Sequence, residues 1–187
     1  MNTIELFSHS RLMSYKSFEE YKQNIDFVSK SYIGLSLIEV CLRNKINNYF
    51  VKFDSNWLEN KDHVGGGFFL VEKAKKNLKK CDKIISNNSL VPELTFGFWV
   101  GIFSPHKTGF SLDNKHMKKM FNKSDIIKKD ELYAILKNIN DFRNRAFHHE
   151  KIINIDRFLV IEQQIEQILI LLDNSLLDLV EDIKKLK

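Results

Sequence analysis

Hydrophobic residues recur at spacings of three and four over long stretches of this chain, the period of an amphipathic helix. The clearest stripe lies in the last segment and comprises Ile161, Ile165, Ile168, Leu172, Leu176, Leu179, Ile183 and Leu186. Its spacing predicts one long C-terminal helix, which packs either within its own bundle or against a second subunit. The pattern as a whole predicts an all-α fold, a helical bundle.

Short polar or glycine-rich breaks separate the helix-length segments. The predicted segments are 10–23, 26–52, 68–85, 91–103, 113–121, 130–150 and 155–186. The breaks read "FDSN" (53–56), "DHVGGG" (62–67), "SNNS" (86–89), "SPHKTG" (104–109) and "NKSD" (122–125). None is a long linker, and no repeat is visible, so residues 1–187 are expected to form a single domain.

Composition agrees with this interpretation. The 187 residues are 43% hydrophobic and 28% charged, as in a globular protein, and only 7 Gly and 2 Pro argue against many tightly turned strands. The formal net charge of +5 is compatible with a polyanionic partner. A solvated lysine-rich surface would produce the same charge.

The chain carries no predicted membrane segment. The N-terminal residues lack the apolar core of a signal peptide, and the most apolar run, "LTFGFWVGIF" (94–103), falls short of the roughly 20 residues that span a bilayer. Cys41 and Cys81 have no metal-ligand spacing and are expected to be small buried thiols in a reducing compartment. We therefore expect a soluble, cytoplasmic protein.

The stretch "RNRAFHHE" (143–150) is the main candidate for chemistry. It closes a segment whose buried face is predicted from Leu132, Ile135, Ile139, Phe142 and Ala146, and it holds two of the chain's five arginines. His149 follows Ala146 by three residues and is predicted to continue the buried stripe. His148 is predicted on a flank, one turn after Asn144.

Several interpretations of this stretch are open. A basic helix terminus is favourable near the negative end of a helix dipole. A metal site is disfavoured because adjacent histidines diverge on a helix and no Cys/His cluster accompanies them, and no nucleophile elbow is present. Metal-independent RNA cleavage needs a histidine for proton transfer and an arginine to hold the phosphate, and Arg143, Asn144 and His148 supply that set.

The stretch also resembles a known family. Arg143-Asn144-x-x-x-His148 fits the Arg-x(4–6)-His signature of HEPN ribonucleases, and "FRNRAFHHEKI" (142–152) resembles a block of the Abi-like (abortive infection) family. Lys151 stands where that block has Pro, and Phe147 where it usually has Ala. Three further stretches resemble the family's elements in the same order: "SRLMSY" (10–15), "IEVCLRNKI" (38–46) and "LVPELTFGFWVGIFS" (90–104).

The resemblance implies a helical HEPN bundle that dimerises so that two Arg-His motifs face one cleft. It implies a phage-defence toxin that cleaves RNA without a metal or other cofactor and leaves a 2′,3′-cyclic phosphate. A small structured RNA or a protein antitoxin restrains some members. Arg143 would hold the scissile phosphate, Asn144 would orient the groups, and His148 would be the general base or acid, with His149 as its competitor.

Supporting residues and alternatives follow from the same stretches. Arg145, Glu39 and Arg43 are candidate RNA-contacting or supporting residues, and Glu39 and Arg43 are spaced for an ion pair within one helix. Phe96, Phe98 and Trp99 are expected in the core. A silent RNA-binding module and a helical adaptor are the alternative functions. A nuclease should expose Arg143, Asn144 and His148, whereas an adaptor should bury or ion-pair them.

Overall fold

The computed structural model describes residues 6–7, 9–106, 112–123 and 127–186. Within these ranges the chain is helical and has no strand, which confirms the all-α prediction. Short 3-10 helices lie at Trp57–Glu59, Gly65–Gly67 and Asp156–Phe158. The α-helices are α1 (His9–Leu12), α2 (Phe18–Phe50), α3 (Lys61–Val64), α4 (Phe68–Lys80), α5 (Asn87–Glu93), α6 (Phe96–Gly101), α7 (Asn114–Phe121), α8 (Lys129–Phe147), α9 (Ile161–Leu172) and α10 (Ser175–Lys185).

Helix α2 is the long central helix of the bundle. The Ser17 hydroxyl caps its start by accepting the Glu20 N–H at 3.2 Å. Its buried face packs along α9, and a Cβ atom added to Gly34 would overlap the Ile165 side chain. The absence of a side chain at Gly34 therefore lets these two helices approach closely.

Helix α8, which ends in the candidate site, packs against α6 and α9. All five residues of its predicted stripe are buried, from Leu132 to Ala146. The Phe142 ring lies edge-on between Phe27 and Phe158, with ring centroids 5.7 and 5.3 Å away. The predicted face of α8 is therefore confirmed, and it fixes how the helix end is presented.

An aromatic cluster fills the other end of the bundle. Trp57 stacks on Phe50 at 4.5 Å and lies 6.1 Å from Trp99. Trp99 is fully buried and donates its indole N–H to the Leu94 carbonyl at 3.3 Å. Phe96 and Phe98 are also buried, so the prediction that the aromatic residues of this segment belong to the core is confirmed.

The predicted break between segments 10–23 and 26–52 is wrong. Helix α2 runs through it without interruption from Phe18, and a separate turn of helix, α1, precedes it. Asn24 lies at the predicted break but is almost fully buried, with its side chain bonded to a distant loop. The asparagine therefore serves a tertiary contact and does not end the helix.

The single long C-terminal helix is also wrong, because segment 155–186 contains both α9 and α10. Asp173 adopts an extended backbone, and its carboxylate accepts the N–H and the hydroxyl of Ser175 at 2.9 and 2.8 Å. These bonds start a new helix. Of the predicted stripe, Ile161 to Leu172 is buried, whereas Leu179 and Leu186 are exposed.

Three further boundaries differ from prediction. Segment 68–85 ends at Lys80, followed by Asp82 in a left-handed conformation. Segment 91–103 is divided because Leu94 is extended between α5 and α6. The "SNNS" break begins a helix, since Ser86 and Ser89 form a capping box. Residues 107–109 and 124–125 of two predicted breaks lie outside the described residues.

Of the two cysteines, only Cys41 is even partly buried, because Cys81 is exposed just after α4. The expectation of two buried thiols is therefore wrong for Cys81. Among the described helices, none combines the length and apolar character that a membrane crossing requires.

Candidate active site

The two histidines lie just beyond the end of α8. His149 has a φ of 56°, its N–H donates to the Ala146 carbonyl at 3.0 Å, and the Glu150 N–H donates to the Arg145 carbonyl at 2.9 Å. These two bonds make a Schellman motif, in which the left-handed position is usually glycine. The segment predicted as helix to residue 150 therefore stops at Phe147.

Both histidine side chains are exposed as a result. The prediction that His149 continues the buried stripe is wrong, because a helical wheel has no meaning once the chain has left the helix. His148 makes the last hydrogen bond of regular helical spacing in α8, from its N–H to the Asn144 carbonyl four residues earlier at 3.0 Å. It keeps its predicted place one turn after Asn144, at an accessible helix end.

Arg143 is held on the side of α8 that faces α2. One terminal nitrogen lies 3.4 Å from a carboxylate oxygen of Glu39, and the other donates to the Asn144 side-chain oxygen at 3.3 Å. The guanidinium also lies 4.8 Å from the centre of the Phe147 ring. These contacts use two of the five guanidinium N–H groups and leave two terminal ones for a ligand.

The predicted ion pair within α2, between Glu39 and Arg43, is not formed. Glu39 pairs instead with Arg143, from which it is separated by 104 residues in the sequence. The Nε atoms of Arg43 and Arg143 are buried without a hydrogen-bond partner among the residues that the structure describes. Glu39 thus contacts the candidate site, whereas Arg43 has no ion pair within the described chain.

Arg145 is placed on the opposite flank of the helix end. Its guanidinium donates to the Glu150 carboxylate at 2.9 Å, and both side chains are roughly half exposed. A pair in this environment contributes about 0–1 kcal/mol because water screens it. Arg145 can therefore exchange Glu150 for an anionic ligand at small energetic cost.

Asn24 fixes the loop that follows the histidines, a role that the sequence pattern did not reveal. Its side-chain oxygen accepts the N–H groups of Ile152 and Ile153 at 2.8 and 3.1 Å, and its amide donates to the Glu150 carbonyl at 3.2 Å. Asn24 is 1% exposed. The available sequence signal was spacing: Asn24 lies seven positions before Ser31 and therefore on the same face of α2, which is the buried face.

Glu20 holds the same loop from the first turn of α2. Lys151 and Asn154 each donate to its carboxylate at 2.8 Å, and the Lys16 N–H donates at 2.6 Å. These hydrogen bonds, that of Lys151 first, lower the pKa of Glu20 to about 2. The carboxylate therefore stays charged and keeps the loop attached through the pH range of the cell.

The N-terminal residues complete this attachment. Arg11 donates to the backbone carbonyl of His149, and Lys151 donates to the Ser14 carbonyl at 3.0 Å while lying 5.2 Å from the centre of the Tyr15 ring. Arg11 and Tyr15 belong to the "SRLMSY" stretch. Arg11, Ser14 and Tyr15 of this stretch therefore contact the loop that carries the histidine pair.

The arrangement offers two exposed histidines just after α8 and, in its last two turns, a partly engaged arginine. Of the three residues expected to be open in a nuclease, Asn144 and His148 are exposed, whereas Arg143 is ion-paired and partly buried. Within the described ranges, no group of three or more His, Cys, Asp or Glu side chains is placed to hold a metal ion. Comparisons of the chain with family models, curated proteins and solved structures gave no match.

Proposed function

We propose that this protein is a metal-independent endoribonuclease of the HEPN type, related to the Abi-like family, and that it acts in the cytoplasm as an abortive-infection toxin. The observation that carries the activity is the end of α8, where Arg143 and Asn144 are in contact and the exposed His148 follows one turn later. The biological role rests on the sequence resemblance. The homodimer and a restraining RNA or protein antitoxin belong to the same proposal and also rest on the sequence resemblance.

The fold supports the relationship by bringing the four resembling stretches together. Glu39 of "IEVCLRNKI" contacts Arg143, and Arg11 of "SRLMSY" contacts the His149 carbonyl. Helix α6, from the "LVPELTFGFWVGIFS" stretch, packs on α8. Stretches that are far apart in sequence thus contact α8 or the loop that follows it, as residues that serve one site would.

The chemistry follows from the side chains. His148 takes the proton from a ribose 2′-hydroxyl, whose oxygen attacks the adjacent phosphorus. The free terminal N–H groups of Arg143 stabilise the charge that develops on the non-bridging oxygens. The bond from phosphorus to the 5′-oxygen breaks, the 5′-oxygen takes a proton from solvent, His148 returns its proton to solvent, and the upstream fragment ends in a 2′,3′-cyclic phosphate. Asn144 keeps the guanidinium directed toward the phosphate through its contact with Nη1.

The test compares wild type with three variants on total RNA in EDTA. His148→Ala and Arg143→Ala should each remove cleavage and its cyclic-phosphate ends. His149→Gly should retain cleavage, because glycine suits the left-handed position and removes only the competing imidazole. The opposite pattern for the two histidines would transfer the catalytic role to His149. Growth arrest on expression of wild type, absent with His148→Ala, would support the toxin role.

A second function, a silent RNA-binding module, is favoured by one observation. Arg143 is already engaged by Glu39, and its Nε is buried. If all the proteins leave RNA intact in EDTA but retain a co-purifying small RNA, this function gains support. Glu39→Gln would then distinguish a silent site from a restrained one, because freeing Arg143 should start cleavage only in the latter.

A further inference from the structure

Two exposed aromatic rings lie beside the candidate site. Tyr32 on α2 is 56% exposed and Phe147 at the end of α8 is 41% exposed. Their centroids are 6.3 Å apart, and their planes meet at 68°. Phe96, Phe98 and Trp99 are buried, whereas these two rings are partly exposed to solvent and a planar ligand can contact them.

The rings form one surface with the candidate catalytic groups. Phe147 directly precedes His148, and its ring lies under the Arg143 guanidinium at 4.8 Å. The cation therefore sits between the aromatic surface and the Glu39 carboxylate. A phosphate held by Arg143 would place its neighbouring nucleosides within reach of Phe147 and Tyr32.

We propose that Tyr32 and Phe147 stack on unpaired bases next to the scissile phosphate, so that the strand is held by its base faces as well as by its phosphate. This inference rests on the proposed ribonuclease function. Bases in a duplex are already stacked on one another and paired, so their faces are unavailable to protein rings. Single-stranded RNA offers those faces, and its flexible backbone can align the 2′-hydroxyl with the bond that breaks.

The charge beside the rings favours a polyanionic strand. Arg143 lies against the Phe147 ring, and its unbonded terminal N–H groups can bind a phosphate while the ring faces a base. His148 directly follows Phe147 in the sequence. Aromatic side chains next to arginine are the usual means of binding single strands without reading their sequence. We therefore expect a preference for unpaired over paired RNA and little dependence on base identity.

The experiment measures binding and cleavage by the full chain in EDTA. Cleavage is followed with a short unstructured strand of A and C and with the same strand in a duplex. Binding is followed by fluorescence anisotropy with the 2′-fluoro form of the strand, which lacks the attacking hydroxyl. Tyr32→Leu is the main variant, because Phe147 also contacts Arg143. Phe53→Leu is the matched control, an exposed ring beyond the far end of α2.

Wild type should cleave the single strand and leave the duplex largely intact. Tyr32→Leu should raise Kd and KM for the single strand about tenfold, since stacking on one ring changes affinity by roughly that factor or more. Tyr32→Phe, which keeps the ring, should bind the strand more tightly than Tyr32→Leu. Phe53→Leu should behave as wild type.

Three results would overturn the inference while the nuclease assignment stands. They are equal cleavage of duplex and single strand, an unchanged KM in Tyr32→Leu, or loss of a dimer in Tyr32→Leu by sedimentation, which would make the rings a protein interface. If wild type cleaves no RNA yet binds the 2′-fluoro strand through Tyr32, the nuclease assignment fails and the stacking surface remains. If it neither cleaves nor binds, both fail.

Discussion

Replacing Asn24 by alanine should loosen the loop that carries the histidines. The variant removes three hydrogen bonds, to the N–H groups of Ile152 and Ile153 and the carbonyl of Glu150. At about 1 kcal/mol each, the expected loss is about 3 kcal/mol of unfolding free energy. For a domain of this size that lowers Tm by roughly 6–12 °C.

Asn44→Ala is the matched control for this prediction. Asn44 lies on the same helix with an exposed side chain. Both substitutions gain the same helix propensity, but only Asn24→Ala loses hydrogen bonds to the loop. Urea unfolding followed by circular dichroism gives both free energies. A difference between the two variants below about 0.5 kcal/mol would refute the account, since it would mean that the three bonds contribute no net stability.

Two further stability predictions concern the contact between α2 and α9 at Gly34 and the attachment of the histidine loop by Glu20. Gly34→Ala should destabilise by about 1–3 kcal/mol because the new methyl overlaps Ile165, despite its better helix propensity. Gly101→Ala, with open space around it, should be near neutral in the same urea titration, and equal stability of the two variants would contradict the close approach. The pKa of Glu20 in the folded protein is about 2, below its ordinary value of 4.5. The stability that the charged Glu20 carboxylate contributes is therefore complete above pH 4.5 and is lost as the pH falls through about 2. Glu20→Gln should therefore have a lower free energy of unfolding than wild type at pH 7, and the difference should close by about pH 2. A difference that does not depend on pH, or an equal difference for the exposed Glu19→Gln, would argue against this role of Glu20.

The hydrophobic pattern predicted those parts of the fold in which side-chain period and burial coincide. The stripe of α8 is buried as predicted, because each of its residues contacts the core. The division of the C-terminal segment was not predictable from spacing, since the apolar period continues through the cap that Asp173 makes. Periodicity reports which side chains are apolar and carries no information on where a polar side chain bonds the backbone.

The candidate site shows the same limit at the level of contacts. Glu39 and Arg43 satisfy the spacing rule for a helical pair, but Glu39 finds a tertiary partner in Arg143. His149 was placed by extending a wheel beyond the last helical residue, although its left-handed conformation ends the helix. The residues that hold the loop, Asn24 and Glu20, lie more than 120 positions away in sequence, which no local rule connects.

The long separation between Asn24 and its loop has a consequence for synthesis of the protein. The ribosome completes α2 well before it makes residues 150–153, and the two are joined across 126 residues. Closing so large a loop is entropically costly and slow compared with forming either helix. On a nascent chain the histidine loop cannot bond to Asn24 until α8 and residues 150–153 have emerged from the ribosome. A protein built in this way acquires the arrangement around its histidine pair only when most of the chain has been translated, so fragments left by interrupted translation lack it.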